Sequence, residues 1–339
     1  MNSRLKKKTY LYWGFAFLPL VAIWAVGLGA ADIGIMESWR TILAKIGLSS
    51  VNAGLTEISI VWSLRLPRVL MAIIVGGGLS VCGGVMQALF RNPLADPYII
   101  GVSSGAALGA ATATVFMGGM VFWGQPLLAF VFSLLTVYIV YGVSRQGNYV
   151  SSNTLLLTGV ALAGFLAAIM TFLLVFNADH INNIYFWLLG SLSGATWNRL
   201  IWILPLVTVG VVVLIALSRY LNALLFGSMT ARHLGVPVES VKKLILLLTA
   251  LSVAGCVAMC GPIGFVGLII PHVVRLFTGP DHRLLLPVSF WVGALFLLVT
   301  DTLARVAFAP LEIPIGAITA LIGAPLFIYL VRRRQFKGY

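Results

Sequence analysis

Long apolar stretches alternate with short polar ones along almost the whole chain. About twenty consecutive apolar residues cross a bilayer as an α-helix, and ten stretches of roughly that length follow one another. The pattern therefore predicts an all-α, polytopic membrane protein. The ten predicted spans are 11–30, 67–89, 98–117, 126–143, 154–175, 197–218, 242–259, 262–278, 285–302 and 314–331.

The polar segments between the spans are too short for a separate soluble domain. The longest are 31–64 and 219–241, and a domain typically needs about 50 residues or more. The composition agrees, because 60% of the 339 residues are hydrophobic and only 9% are charged, against about a quarter in soluble proteins. We expect a single transmembrane domain over residues 1–339.

Basic residues give the chain a net charge of +13 and indicate its orientation. Lys and Arg concentrate at both ends and in the polar segments 90–97, 144–153, 219–241 and 279–284, as they do in cytoplasmic loops. An even number of spans also places both termini on one side, so we expect both to be cytoplasmic. Contact with anionic lipid is expected. Nucleic acid is not, because no basic face carries interleaved aromatic residues.

The sequence lacks the common motifs of ATP hydrolysis and metal binding. The dipeptide Gly-Lys never occurs, so the chain has no phosphate-binding loop of the ATPase type. HExxH and CxxC are absent, and the four histidines lie in different segments without ligand spacing. Cys82, Cys256 and Cys260 lie in apolar runs, as packing residues do. We expect no enzyme, no catalytic residue, no metal site and no cofactor, with any energy supplied by another subunit.

Small residues and a weak repeat indicate a tightly packed bundle. Gly101, Gly105 and Gly109 form a repeated GxxxG ridge, which lets helix backbones approach closely in lipid. The segment 79–83 (LSVCG) is similar to 251–255 (LSVAG). These segments lie five spans apart and so run in opposite directions, which is typical of inverted repeats.

The polar segment 219–241 contains a candidate docking surface. Its core predicts a short helix that ends at Gly235, with Pro237 beyond it as a stop signal. A second short helix is predicted to begin near Val238. Two exposed helices would fit the groove of a partner, whereas the alternative is an ordinary surface loop.

Three arginines lie at the predicted outer ends of spans, against the charge rule. Arg65, Arg68 and Arg305 either snorkel and cap their helices or offer guanidinium groups to carboxylates of an external partner. Asp301 lies four residues before Arg305, so an internal ion pair is expected to neutralise that arginine. Asp96 is expected to cap the helix that follows it.

Six motifs occur in one order over most of the chain. They are 65–68 (RLPR), 87–97 (QALFRNPLADP), 101–106 (GVSSGA), 231–236 (ARHLGV), 261–272 (GPIGFVGLIIPH) and 312–316 (EIPIG). In these motifs the chain resembles the FecCD-type permeases of type II ABC importers, which carry iron–siderophores, haem or cobalamin.

The resemblance implies a fold like that of cobalamin-importer permeases, with inverted-repeat halves. It implies a homodimer around a central pathway, two separate ABC ATPase subunits that bind ATP and Mg, and an extracytoplasmic substrate-binding protein. The location would be the plasma membrane of a prokaryote. The implied ATPase-coupling residues are Gly227, Thr230, Ala231, Arg232, Leu234, Gly235 and Val236. The implied docking residues for the binding protein are Arg65, Arg68 and Arg305. The implied cytoplasmic gate comprises Asn92, Pro93, Leu94, Ser151, Ser152 and Asn153.

We therefore expect a permease subunit that moves a metal chelate inward by alternating access. The main alternative is an ion-coupled secondary transporter, which needs coupling residues inside the membrane. Asp301 alone is a poor candidate for that role. A membrane-embedded enzyme would need clustered acids or histidines, and a purely structural subunit would not need these motifs.

Overall fold

The computed structural model describes residues 3–29, 31, 33–48, 54–117, 122–147 and 149–336. Regular structure in this part is almost entirely helical, as the sequence predicts. The α-helices are α1 (Ser3–Gly27), α2 (Ile35–Lys45), α3 (Leu55–Glu57), α4 (Leu66–Leu89), α5 (Val102–Met117), α6 (Gly124–Ser144), α7 (Ser152–Val175), α8 (Ile181–Leu188), α9 (Trp197–Ala216), α10 (Ser218–Leu225), α11 (Ser228–His233), α12 (Val238–Cys260), α13 (Val266–Thr278), α14 (His282–Val306) and α15 (Ile315–Phe336).

Shorter elements complete the described chain. A π-helical segment, Ile58–Arg65, joins α3 to α4, and 3₁₀ turns form at Pro97–Ile100 and Ala178–His180. Two short antiparallel strands, β1 (Arg145–Gln146) and β2 (Tyr149–Val150), make a hairpin that the apolar pattern did not predict.

Six helices of the described chain are long and apolar enough to cross a membrane, which makes this a helical membrane protein. They are Leu55–Leu89, Gly124–Ser144, Ser152–Val175, Trp197–Ala216, Val238–Cys260 and His282–Val306. Four shorter apolar helices coincide with the remaining predicted spans, namely Ala16–Gly27, Val102–Met117, Val266–Thr278 and Ile315–Leu330. Six spans are thus confirmed by length and composition, and the count of ten stays a prediction.

Helix α4 is the centre of the bundle. Nearly all of its side chains are buried, and it packs against α9, α12, α13 and α14. A helix that is apolar on every side lies either in a protein core or in lipid, and α4 lies in the core. The π-helical segment ends at Arg65, two residues before Pro67, whose ring and missing N–H disturb the regular hydrogen-bond ladder. The wider π turn lets one continuous helix run through that proline.

Glycines set the closest helix contacts. Gly105 and Gly109 of α5 lie against the backbone carbonyls of Phe132 and Leu128 of α6, where a Cβ atom would overlap with them. The predicted GxxxG ridge is therefore confirmed as a packing surface between α5 and α6. Helix α4 makes similar approaches at Gly76, against Gly293 of α14, and at Gly83, against Gly267 of α13.

The two similar segments, 79–83 on α4 and 251–255 on α12, lie side by side. Cys82 contacts Ser252, and a Cβ atom on Gly78 would lie 3.7 Å from Sγ of Cys256. As residue numbers rise on one helix they fall on the other, so the two helices cross in an antiparallel arrangement.

Helix α7 is strongly apolar and the least covered of the six long spans. Only 6% of its most apolar stretch is buried inside the chain. The buried residues of the helix are Leu155 and Gly159. An apolar helix so exposed within one chain needs either lipid or another protein against it.

Candidate functional site

The predicted functional residues lie at opposite ends of the bundle. The arginine end is the end that contains Arg65, Arg68 and Arg305, at the start of α4 and the last turn of α14. The loop end is the opposite one, where α4 finishes and where residues 218–237 lie. Arg91, Pro93, Leu225 and Pro280 line one cleft of about 340 Å³ there, so the turns after α4, α10 and α13 share this end.

At the arginine end, one buried carboxylate joins two helices. Asp301 is fully buried, and its Oδ1 lies 3.0 Å from Nε of Arg68. Its Oδ2 lies 3.1 Å from Nε of Arg305, which confirms the pair expected from their spacing. Arg68 also contacts Glu312 at 2.9 Å. Asp301 thus neutralises an arginine 233 residues away as well as its own neighbour.

The other guanidinium contacts hold the end of α1. Arg65 donates to the backbone oxygen of Ala31 at 2.7 Å and to that of Val26 at 3.2 Å. Arg305 donates to Leu28 at 2.9 Å. The exposed fractions of Arg65, Arg68 and Arg305 are 5%, 9% and 5%. In the single chain these side chains bind internal acceptors, which agrees with the alternative that the arginines cap helices. Their role in docking a binding protein stays a prediction.

At the loop end, the predicted short helix is present as α11. The backbone N–H of Gly235 donates to Arg232 at 2.9 Å, and that of Val236 donates to Ala231 at 3.0 Å. Gly235 has a φ of +80°, the left-handed conformation that ends helices in this motif. Gly227, with a φ of +101°, starts α11. The helix ending at Gly235 is therefore confirmed.

The prediction of a second short helix near Val238 is wrong. A helix does begin at Val238, but it continues as the 23-residue span α12. The reason is that no helix-breaking residue separates the polar first turn from the apolar positions that follow. The second element of the loop is instead α10, on the other side of α11.

Segment 226–236 presents apolar side chains together with charges. Phe226, Met229 and Leu234 are 73%, 67% and 66% exposed, and Thr230 and Gly235 are also exposed. Val236 is half-buried, and Ala231 is fully buried and anchors the helix. Arg232 forms an ion pair with Glu239 of α12 at 2.9 Å. Apolar side chains exposed beside charged ones are typical of a protein interface.

The predicted gate residues form two turns at the loop end. Oδ1 of Asn92 accepts the backbone N–H of Leu94 at 2.9 Å, and Leu94 is 45% exposed. Ser151 caps α7 by accepting the N–H of Thr154. Pro93 lies in the turn after α4, and Ser152 and Asn153 lie in the first turn of α7. Their role as a gate stays a prediction.

Asp96 caps the 3₁₀ turn after the first gate segment, as expected. Its Oδ1 accepts the backbone N–H of Tyr98 at 2.8 Å. The hydroxyl of Tyr98 then donates to the carbonyl of Ile263 at 3.0 Å and accepts the N–H of the same residue at 3.1 Å. Asp96 therefore supports a turn that ties the entry of α5 to the entry of α13.

Burial raises the pKa of Asp96 from 3.8 to about 6, although the hydrogen bond from Tyr98 opposes this change. The folded chain therefore binds this proton more tightly than the unfolded chain does. The contribution of Asp96 to stability is complete below about pH 4 and is lost as the pH rises through 6. Asp96→Asn keeps the cap but carries no charge. We expect the melting temperature of this variant, relative to that of the natural chain, to increase as the pH rises from 4 to 7. Thermal unfolding in detergent measures this difference, and an offset that does not vary with pH would contradict it.

The comparisons with known proteins agree with this architecture. The sequence model of the FecCD transport family matches residues 17–333. The chain belongs to the FecCD transport family. The cobalamin import system permease protein BtuC of Halobacterium salinarum is 45% identical over 279 residues, which cover 82% of this chain and 75% of that protein. The hemin transport system permease protein HmuU of Yersinia pestis is 37% identical over 344 residues, covering 99% and 98%.

Solved structures show the same fold. A metal-chelate type ABC transporter in an inward-facing conformation superposes with a TM-score of 0.83 at 34% identity, covering 96% of this chain and 99% of that one. PsaBC from Streptococcus pneumoniae matches with a TM-score of 0.51 at 18% identity, covering 78% of this chain and 90% of that one. The second likeness concerns the fold alone.

Two partners at the arginine end were not assigned from the sequence. Glu312 lies in a motif that the sequence analysis singled out, yet its contact with Arg68 joins residues 244 positions apart. The contact between Arg68 and Asp301 joins residues 233 positions apart. The only signal in the sequence was charge, since carboxylates are rare near these spans. Among the described residues, no group of three His, Cys, Asp or Glu side chains has the arrangement of a metal site.

Proposed function

We propose that this chain is the permease subunit of an ABC importer and moves a bulky metal chelate inward across the membrane. The match of the FecCD family over residues 17–333 carries this proposal. Relatives named for cobalamin and hemin transport, and the similarity to a metal-chelate type ABC transporter, support the class of cargo.

Energy would come from two separate ATPase subunits that bind ATP and Mg. Segment 226–236 suits their docking, because its exposed apolar side chains Phe226, Met229 and Leu234 lie between charged residues and outside the long apolar helices. A partner that covers them would gain roughly 25 cal/mol for each Å² of apolar surface removed from water.

The loop end would face the cytoplasm of a prokaryotic cell and the arginine end its exterior. Positive residues favour the cytoplasmic side, and Arg91, Arg145, Arg219, Arg232 and Arg283 belong to turns or helix ends at the loop end. The binding protein would then deliver its chelate at the arginine end. Lys337, which contributes to the basic C-terminus, lies outside the described residues.

A second copy of the chain would complete the pathway. Helix α7 is apolar and almost uncovered within one chain, so it offers a surface for a homodimer as well as for lipid. We also infer inverted-repeat halves, since α4 and α12 cross in antiparallel fashion. Helix α4 packs on α14 and α13, while the corresponding α12 packs on α6 and α5.

Transport would proceed by alternating access, with the turns at Asn92–Leu94 and Ser151–Asn153 closing the cytoplasmic side. The alternative of an ion-coupled carrier is less well supported. Asp301 is the buried carboxylate that such a carrier would use, yet it is held between Arg68 and Arg305. Both of its oxygens are therefore occupied by guanidinium groups and are not free to hold a coupling ion.

Co-purification with the ATPase and ATP-driven uptake test this function. We expect the tagged permease to retain an ABC ATPase from its own cell. The reconstituted complex should take up a metal chelate only when ATP is present on the loop side. Uptake that needs an ion gradient but no ATP would establish the carrier alternative instead.

A further inference from the structure

Arg199 differs from the other arginines of the arginine end. It lies in the first turn of α9, whose Trp197 donates to the backbone of Trp62 in the π-helical segment at 2.8 Å. Nη1 of Arg199 donates to the carbonyl of Gly194 at 3.1 Å, but its Nε is buried without a hydrogen-bond partner. In the part of the chain that the structure describes, no carboxylate pairs with it. Arg65, Arg68 and Arg305, by contrast, are occupied by internal acceptors.

This guanidinium lines a pocket of about 510 Å³. It lies where α5 and α12 end and α6 and α9 begin, with α8 along one side. Its walls are largely apolar and aromatic, and the guanidinium carbon stands 4.9 Å from the ring centre of Phe122. That cation–π contact holds the planar group in one orientation. The apolar walls are Met117, Phe122, Phe186, Trp187 and Met259.

This combination fits a particular ligand chemistry. Pockets for small molecules are mostly apolar, with a few polar groups that fix the orientation of the ligand. The polar side chains that line the pocket beside Arg199 are Thr114, Gln125, Asn183, Ser191 and Ser193. The planar fork of an arginine binds a carboxylate through two parallel hydrogen bonds, and Arg199 has donors to spare. A large apolar molecule with a carboxylate arm would satisfy both the walls and the charge.

We propose that this pocket is an outer substrate site that selects metal chelates bearing a carboxylate, with Arg199 as the specificity-determining residue. The proposal rests on the importer function stated above and narrows its cargo. A carboxylate of the binding protein is the other candidate partner. The concave shape favours the small ligand, because the guanidinium lies in the wall of a pocket rather than on a protruding surface.

Hemin and its dimethyl ester provide matched probes for the test. Both have the same iron and ring, but the ester lacks the two free carboxylates. Binding to the full-length permease in lipid nanodiscs would be followed by fluorescence quenching and corrected with empty nanodiscs. We expect the natural chain to bind hemin about tenfold to hundredfold more tightly than the ester, the usual range for a hydrogen bond to a charged group.

Arg199→Gln should reduce the affinity for hemin to that for the ester and leave the ester affinity unchanged. The unchanged ester affinity would show that the pocket is intact. Arg40→Gln is the matched control, because Arg40 is an exposed arginine of α2 and its loss removes the same charge. This control should leave hemin binding as it is.

Three results would overturn the proposal. In the first, the natural chain binds hemin and the ester equally, or binds neither. In the second, Arg199→Gln weakens both ligands alike. In the third, it leaves hemin binding intact but reduces capture of the binding protein, which would make Arg199 a docking contact. The measurement needs no ATPase, so a failure of the importer function, seen as absent co-purification, would be recognised separately.

Discussion

Replacing Gly235 by proline is expected to abolish ATP-driven uptake while the protein still inserts into the membrane. Gly235 has a φ of +80°, which the proline ring forbids because it holds φ near −65°. The substitution also removes the N–H that donates to Arg232. The end of α11 would be rebuilt, and the apolar side chains of segment 226–236 would leave the positions that the ATPase contacts. Uptake into vesicles and co-purification of the ATPase measure the effect.

Gly47→Pro is the matched control for this variant. Gly47 has a φ of +78° and ends α2 with the same two backbone bonds, from Gly47 to Ala44 and from Leu48 to Leu43. Neither glycine has a neighbour within 4 Å of an added Cβ atom. The local strain is therefore equal, but Gly47 lies far from segment 226–236 in the chain. Normal uptake by Gly235→Pro, or equal loss in both variants, would remove the coupling role from α11.

Replacing Asp301 by asparagine is expected to cause a large loss of stability. Asp301 is fully buried and is the shared counter-ion of Arg68 and Arg305. Asparagine has nearly the same shape but leaves two buried cations poorly neutralised. Removing one partner of a buried ion pair typically costs about 3–5 kcal/mol. Thermal unfolding in detergent should show a correspondingly large fall in melting temperature.

Glu312→Gln tests how much an exposed partner of Arg68 contributes to stability. Glu312 also contacts Arg68, but its side chain is 44% exposed. Because water can replace such a contact, we expect a loss within about 1 kcal/mol. Adding Arg305→Met to Asp301→Asn should recover part of the lost stability, since one uncompensated buried charge is then removed. Equal effects of Asp301→Asn and Glu312→Gln would show that the buried network contributes little.

Features that depend on neighbouring residues could be predicted from the sequence. The apolar runs indicated the spans, because membrane length and side-chain hydropathy act along a single helix. The end of α11 followed from glycine and proline chemistry at Gly235 and Pro237. The pair between Asp301 and Arg305 followed from helical spacing, and the cap at Asp96 from its position before a helix. The error at Val238 arose because a polar first turn and an apolar span form one helix when no breaker divides them.

The sequence by itself therefore determined a helical membrane protein of the FecCD type, with its loop helix and its local pairs. Only the tertiary structure decided what the arginines do. Arg65 and Arg68 bind partners that lie between 27 and 244 residues away, whereas Arg199 is left with free donors in an aromatic pocket built from five helices and the segments between them. Hydropathy and charge place such residues at the end of a span. Which acceptors they meet depends on how distant helices pack, and no local pattern encodes that.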